Sequence, residues 1–343
     1  MKFFIETIGC QQNEYDASRL SLFLKSAGFI EIDNPKSAEV IFILACSVRQ
    51  TAVDRIFGRV KNWKDKKICI TACVTDGDKK KLAEKGAIYW KFGDIKNLEK
   101  ILNFDFNNRT IEQWSNSFYV PIMSGCNNFC SYCIVPYLRG REKSRPIKTI
   151  ITEVKNLVKQ GHKEIILLGQ NVNSYKMNYE SRIMNHENKK DFTVLLEKLN
   201  KIPGDFEIGF LTNHPKDMTD DAINAIAILP KVKKEIHLPL QSGSDKILKL
   251  MNRKYTTRQY LKIVKKLTPY NLRLTTDIIV GFPGETQSDF QKTVDVCKKI
   301  NFDLAYINKY SPRKGTAAYK LGDPILWKEK QRRWRILNDL INK

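Results

Sequence analysis

Gly125-Cys126-Asn127-Asn128-Phe129-Cys130-Ser131-Tyr132-Cys133 holds three cysteines in the spacing C-x-x-x-C-x-x-C, with an aromatic residue before the last. An apolar run, Phe118 to Met123, precedes it and reads as a strand. Downstream, helical patterns at Thr149–Gln160, Phe192–Asn200, Asp217–Ile228, Thr257–Leu267 and Ser288–Ile300 alternate with apolar runs at Glu164–Leu168, Glu207–Leu211, Ile236–Leu238, Thr275–Val280 and Leu304–Ile307. About six βα repeats over roughly two hundred residues predict an open or closed βα barrel, whose functional residues follow the carboxyl ends of its strands. The cysteine loop then sits where a barrel's first active-site loop belongs.

Upstream, Phe3–Ile8, Val40–Leu44 and Ile68–Ala72 read as strands and Ser18–Ala27 as an amphipathic helix. This alternation predicts a doubly wound parallel-sheet domain. A polar, Asn-rich stretch, Asn103–Ser117, has linker composition. The expected organisation is a doubly wound domain over 1–104, a linker over 105–117, an α/β barrel over 118–326, and a basic amphipathic helix over 327–343. Within the barrel, Asn173–Asp191 is a long polar stretch without periodicity, consistent with disorder or with substrate contact.

Three thiolates on one tight loop suit three irons of a [4Fe–4S] cube and leave the fourth open. An open iron is a site for the amino and carboxylate groups of S-adenosylmethionine, which an electron from the cluster then cleaves to a 5′-deoxyadenosyl radical. The alternative is a structural zinc loop short of one ligand. Cys10, Cys46 and Cys73 each lie just beyond a strand end, and in a parallel sheet those ends share one edge. Free cysteines are also common core residues, the reading given to Cys69 and Cys297.

The chain has 343 residues, too long for a disulfide-stapled miniprotein, and its 59 Lys and Arg against 37 Asp and Glu leave a net charge of +22. Such an excess suggests a polyanionic partner, although Lys also coats solvated faces. A carboxylate at Glu6 interrupts any secretory segment, and the apolar runs fall short of the about 20 residues needed to cross a bilayer. A cytoplasmic protein without membrane association is expected, whose thiols are kept for metal or chemistry.

Taken together, the motifs resemble the radical-SAM methylthiotransferases, most closely the tRNA adenosine 2-methylthiolating (MiaB-type) enzymes. The matching residues are Thr7-Ile8-Gly9-Cys10-Gln11-Gln12-Asn13, Cys46-Ser47-Val48-Arg49, Gly125 to Glu142, Leu168 to Tyr175, His237 to Ser244 and Thr276 to Thr286. The resemblance implies a radical-SAM partial (βα)6 TIM-like barrel behind the N-terminal domain, with S-adenosylmethionine and two [4Fe–4S] clusters as cofactors. It assigns Cys126, Cys130 and Cys133 to the catalytic radical cluster and Cys10, Cys46 and Cys73 to an auxiliary cluster implicated in sulfur delivery. Gln170, Gln241 and Ser242 follow barrel strands and are candidate S-adenosylmethionine contacts; Gly281-Phe282-Pro283-Gly284 resembles a turn that brings backbone near that cofactor. His214 and His237 lie near strand ends, but no metal spacing accompanies them.

The implied activity is insertion of a methylthio group at C2 of an N6-isopentenyl-type adenosine next to the anticodon. Alternatives are the same chemistry on threonylcarbamoyl-adenosine or on a ribosomal-protein aspartate, or a non-catalytic RNA-binding iron–sulfur protein. The implied partners are the tRNA anticodon stem-loop and a reductase or flavodoxin-type electron donor, the chain acting as a monomer. The sequence departs from the family at Leu44-Ala45, where Asn-Thr is usual before the cysteine, and at Ala72, where Gly is usual. The chain is expected to lack the family's RNA-binding TRAM domain, which would follow Lys343. Arg139, Arg141, Lys143 and Arg145, interleaved with Tyr137, and the tail Lys328–Arg335 are expected to take over part of its role.

Overall fold

The computed structural model describes residues 1–48, 50–111, 117–177 and 190–343, which form two compact units, Met1–Tyr119 and Val120–Lys343. Arg49, the middle of the expected linker and most of the Asn173–Asp191 stretch lie outside the described residues.

In the first unit the order is β1 (Lys2–Thr7), α1 (Gln11–Ser26), β2 (Ile30–Glu31), β3 (Val40–Cys46), α2 (Gln50–Asn62), β4 (Lys67–Cys73), α3 (Asp76–Ala83), β5 (Ala87–Tyr89) and α4 (Ile95–Leu102). The strands pair in parallel in the order β2-β1-β3-β4-β5. Every residue of β3 is buried. Its side chains alternate, as a strand's must: Val40, Phe42 and Leu44 join residues of α1 and α4 on one face, and Ile41, Ile43 and Ala45 join those of α2 and α3 on the other. A strand apolar on both sides requires cover on both sides, which is the doubly wound architecture the alternation predicted.

The second unit runs β6 (Tyr119–Pro121), β7 (Met123–Ser124), α5 (Val135–Arg139), β8 (Lys143–Ser144), α6 (Ile147–Lys159), β9 (Glu164–Leu168), α7 (Asp191–Asn200), β10 (Glu207–Phe210), α8 (Asp220–Ile228), β11 (Glu235–His237), α9 (Asp245–Leu250), α10 (Thr257–Leu267), β12 (Arg273–Val280), α11 (Gln287–Ile300), β13 (Leu304–Lys309) and α12 (Trp327–Ile341). Two three-stranded groups, β10-β9-β6 and β11-β12-β13, make up the open barrel wall. They share a parallel bridge between Ile208 and Val232, just ahead of β11. The expected strand Phe118–Met123 divides in two: Ile122 donates to the Leu168 carbonyl at 2.8 Å, while β7 turns aside to pair antiparallel with β8.

Two expectations are corrected. The stretch 105–117 is not a free linker throughout, because Phe106 and Ile111 are buried in the first unit's core. Phe104 packs edge-on against Phe29, and the aromatic residues outweigh the polar composition around them. The basic helix is likewise no separate tail. α12 packs on the barrel core, with Leu337 fully buried and Trp334 packed on the same core. Two of its cations turn inward: Lys330 bonds the Tyr310 carbonyl and the Asp323 carboxylate, and Arg333 pairs with Glu285 at 2.6 Å. Lys328 and Arg335 remain exposed.

Glu285 closes the Gly281–Gly284 turn by accepting from the Gly281 N–H at 2.6 Å, so the Arg333 pair ties that turn to α12. Its side chains are 6% and 1% exposed, too buried for water to replace a missing partner. Arg333→Leu is therefore expected to cost about 3–5 kcal/mol by stranding the Glu285 carboxylate. Equilibrium urea denaturation checks this, and a loss below about 1 kcal/mol would show that the pair does not hold the turn.

Candidate functional site

The sheet order of the first unit reverses direction between β1 and β3, and ligands of doubly wound folds bind beyond the strand ends at such a point. Cys10 follows β1 there as the cap residue of α1. Cys46 and Cys73 end β3 and β4 and are register partners, placing their backbones about 4.8 Å apart. Gly9 lies so close to Cys46 that an added Cβ would come within 2.9 Å of the Cys46 Cβ. The three predicted residues thus share one edge, with Cys10 exposed and Cys46 and Cys73 buried. Asn13, fully buried, clamps this edge: its Nδ2 donates to the carbonyls of Ile8, Leu44 and Ala45 at 3.4, 3.2 and 3.0 Å. Ser47 is held by Asp78 at 3.0 Å, and Asp78 also accepts from Thr75.

Cys69 is sealed in the core, where burial pushes its thiol up to about 12. Cys297 is sealed the same way in α11, with its thiol also pushed up to about 12 by burial.

In the second unit the loop Cys126–Cys133 is held from both sides. Cys126 donates to the Gly140 carbonyl at 3.1 Å and Cys133 to the Cys130 carbonyl at 2.9 Å, the second closing a turn. Ser131 bonds the carbonyls of Met251 and Leu250 at 2.9 and 2.8 Å through its N–H and hydroxyl. Asn252 returns the contact, donating to the carbonyls of Asn128 and Phe129 at 3.3 and 2.8 Å. Gly125 leads in at φ +79°, and a Cβ there would stand 2.1 Å from the Arg141 carbonyl oxygen, so only glycine fits.

Beside this loop the buried guanidinium of Arg253, 8% exposed, donates to the Cys130 sulfur at 3.4 Å, to Tyr255 Oη at 3.2 Å and to the Pro239 carbonyl at 3.4 Å. Burial holds the Cys126 thiol above the ordinary range and pushes Cys133 up to about 12, with neighbouring cysteines raising both further. Sequence reading passed over Arg253, Asn252 and Asn13. Asn13 stands inside a quoted motif, but a lone Asn-Arg pair after a short helix carries no signal.

The remaining candidates gather at the barrel strands' carboxyl ends. Gln170 and Asn171 follow β9, Asn213 and His214 follow β10, and Gln241 follows β11. Gln170 Oε1, Asn171 Oδ1, Asn213 Oδ1, Gln241 Oε1 and His214 Nε2 are buried and have no hydrogen-bond partner among the described residues. Gln241 adopts φ +65° and bridges to Ile278, its backbone bonded to Asp277 and Ile279. The Ser242 hydroxyl is engaged elsewhere, accepting from the Ser244 N–H at 3.2 Å and lying 3.4 Å from Thr293 Oγ1.

His214 Nδ1 accepts from the Lys216 N–H at 3.2 Å, and burial with Arg253 and Lys216 nearby lowers its pKa to about 2. The ring is therefore neutral and its proton sits on Nε2. His237 lies 3.0 Å from both Thr275 Oγ1 and Asp277 Oδ2. Of the basic residues near the loop, Arg145 is spent on Glu153 at 2.7 Å and on the Pro121 carbonyl. Glu142 bonds Asn127, leaving Arg141 stacked over Phe129 at 4.5 Å, with Lys143 and Tyr137 exposed.

The residues fit the groups expected. Among the described residues no three His, Cys, Asp or Glu side chains converge on a single metal ion. A [4Fe–4S] cube does not ask for that, because each thiolate takes a different iron. Soft sulfur donors beside one buried cation suit an anionic iron–sulfur cluster. The orphaned carbonyl oxygens of Gln170, Asn171, Asn213 and Gln241 suit a ligand rich in N–H and O–H donors, as the ammonium and ribose groups of S-adenosylmethionine are.

Residues 120–297 match the Radical SAM superfamily, and residues 2–91 match a family described as uncharacterized protein family UPF0004. The chain is 42% identical to the tRNA-2-methylthio-N(6)-dimethylallyladenosine synthase of Clostridium botulinum strain Hall, over 99% of this chain and 81% of that protein. The enzymes of the same name from Clostridium tetani and Carboxydothermus hydrogenoformans are 40% and 38% identical, again over 99% of this chain and over 81% and 83% of theirs. Among solved structures, the radical S-adenosylmethionine methyltransferase TsrM from Kitasatospora setae, with cobalamin and a [4Fe–4S] cluster bound, superposes with a TM-score of 0.64 at 10% identity, covering 93% of this chain and 77% of its own. The cobalamin-dependent radical enzyme OxsB reaches 0.60 at 10% identity, over 98% of this chain and 55% of its own, a likeness of fold.

Ala72 stands at φ +73°, the left-handed region that a Cβ disfavours by about 1–2 kcal/mol. Ala72→Gly relieves that strain at an unfolded-state entropy cost of about 0.5–1 kcal/mol. The variant is expected to be as stable as the parent or up to about 1.5 kcal/mol more so, by chemical denaturation of the apoprotein. A loss of about 1 kcal/mol, normal for Ala→Gly in a strand, would contradict this account of the β4 end.

Proposed function

Because the chain belongs to the radical-SAM methylthiotransferase family, in the branch of the tRNA-2-methylthio-N(6)-dimethylallyladenosine synthases, we propose that it inserts a methylthio group at C2 of an N6-isopentenyl-type adenosine beside the tRNA anticodon. The enzyme uses S-adenosylmethionine and [4Fe–4S] clusters. In this reading Cys126, Cys130 and Cys133 hold the radical cluster, and Cys10, Cys46 and Cys73 hold the auxiliary one. The observation that carries it is identity of about 40% over nearly the whole chain, joined to the placement of Cys10, Cys46 and Cys73 at one edge of the first sheet and of Cys126, Cys130 and Cys133 on one anchored loop.

The chemistry supplied on loading is one-electron cleavage of the S-adenosylmethionine sulfonium bond, which gives access to an unactivated C–H bond that no general base can deprotonate. The chain's own residues do the positioning. Ser131, Asn252 and Gly125 fix the loop that carries the three thiols. Gln170, Gln241, Asn171 and Asn213 offer acceptors to the ammonium and hydroxyls of S-adenosylmethionine, and neutral His214 offers one donor. The Gly281–Gly284 turn, braced by Glu285 and Arg333, gives that cofactor a rigid backbone edge.

Exposed Arg141, Lys143 and Tyr137 supply cations for phosphate and an aromatic face for an unpaired base. No described helix is long and apolar enough to cross a membrane. A reductase or flavodoxin-type protein is the electron donor in this reading, and the chain acts as a monomer.

Mass spectrometry of tRNA nucleosides tests the substrate. A strain lacking this chain should lose 2-methylthio-N6-isopentenyl-adenosine and accumulate the unthiolated nucleoside; an unchanged profile excludes the proposal. Iron counting tests the sites. Anaerobic reconstitution should give about eight irons per chain, falling to about four when either triad, Cys126/Cys130/Cys133 or Cys10/Cys46/Cys73, is replaced by Ala. Eight irons in either variant would remove that triad from the ligand set.

A further inference from the structure

Arg145, Arg253 and Arg333 of the second unit differ in what they face, and the first and last meet a buried carboxylate. Arg145 meets Glu153 at 2.7 Å, and Arg333 meets Glu285 at 2.6 Å. Arg253 is the exception. Among the described residues no carboxylate lies within ion-pair distance of it, and its partners are a phenol, a peptide carbonyl and the Cys130 sulfur. The Tyr255 ring, 5.1 Å from the guanidinium carbon, adds a cation–π contact. Tyr255 is itself locked by donating to the carbonyls of Pro239 and Leu240 at 3.0 and 2.8 Å, so the guanidinium cannot swing away without breaking a buried network. A buried cation lacking a counter-charge is strongly destabilising. The counter-charge must come from the one partner able to carry it, the sulfur at 3.4 Å and whatever that sulfur ligates.

We propose that Arg253 is a positioning residue for the cluster held by Cys126, Cys130 and Cys133, fixing the Cys130 thiolate through an N–H···S bond and raising the cluster's reduction potential. The inference rests on the assignment of those cysteines as ligands. Its physical basis is that adding one electron increases the negative charge facing a fixed cation. Hydrogen bonds to sulfur and net charge are among the factors that set iron–sulfur potentials. Lys in place of Arg would keep the charge but lose the planar fork that serves Cys130, Tyr255 and Pro239 at once. The Met251-Asn252-Arg253 segment does two jobs in sequence: Met251 and Asn252 bind the loop's backbone, and Arg253 binds its sulfur.

The test uses the full chain carrying Cys10→Ala, Cys46→Ala and Cys73→Ala, so that a single cluster is read. After anaerobic reconstitution, the cluster is titrated with dithionite and its reduced form followed by electron paramagnetic resonance. At the potential where this parent is half reduced, adding Arg253→Met should lower the ratio of reduced to oxidised cluster about tenfold, equivalent to about 59 mV for one electron. Arg253→Lys should give a smaller fall.

A parent-like ratio in Arg253→Met that retains about four irons overturns the inference, because a merely structural arginine would leave the potential where it was. If Arg253→Met does not retain the cluster, the Arg253→Lys potential decides: a partial fall supports the inference and a parent-like value overturns it. A parent with no reducible cluster instead refutes the cysteine assignment, and this inference with it.

Discussion

Parallel pairing is the constraint on which everything else in this chain depends. Strands that all run one way need long crossovers, and every crossover leaves from the same edge. Cys10, Cys46 and Cys73 are far apart in sequence, yet Cys46 and Cys73 end their strands at such an edge and Cys10 caps the helix that leaves it. In the barrel the same rule brings Gln170, Asn213 and Gln241 to one rim with the Cys126–Cys133 loop. Two-sided burial enforces the arrangement. A β3 strand with no exposed residue cannot slip by one position without exchanging its two packed faces, and a slip would carry Cys46 out of register with Cys73.

Buried charge is the second organising theme. The net charge of +22 invites a reading in which every cation faces nucleic acid. Several of the most conspicuous do not. Lys330 and Arg333 face the core from a helix whose sequence reads as a basic surface, and Arg145, in the basic cluster after the cysteine loop, is tied to Glu153. Each of these spends its charge on fixing a turn or a loop near the strand ends. What remains for a polyanion beside the cysteine loop is a smaller set, Arg141 and Lys143 among them.

Much of this was legible in the sequence because period and punctuation report backbone geometry directly. The alternating apolar runs located β1, β3 and β4 in the first unit and β9 to β13 in the second, though not the short β2 and β5, and the cysteine spacing located the loop. Three things were not legible, each for a physical reason. The 105–117 stretch looks polar by composition, but Phe106 and Ile111 decide its placement, since a few large apolar side chains outweigh many solvated ones. The direction in which Lys330 and Arg333 point depends on where Tyr310, Asp323 and Glu285 end up, which helical periodicity alone does not encode. Arg253 meets Cys130 only through a contact spanning more than a hundred residues of chain, beyond any local pattern.

The protonation of the thiols connects these themes. Without a ligand, burial keeps Cys126 and Cys133 protonated, so the loop is neutral where it is most enclosed. On the proposed assignment of these cysteines, binding iron requires thiolates, and loading would expel protons from a site that resists charge. A fixed cation against Cys130 lowers the free energy of the charged, loaded state more than that of the neutral, empty one. Arg253 is costly in an empty barrel and favourable in a loaded one. Its burial, with no carboxylate partner among the described residues, is what the negative charge of the proposed cluster would compensate.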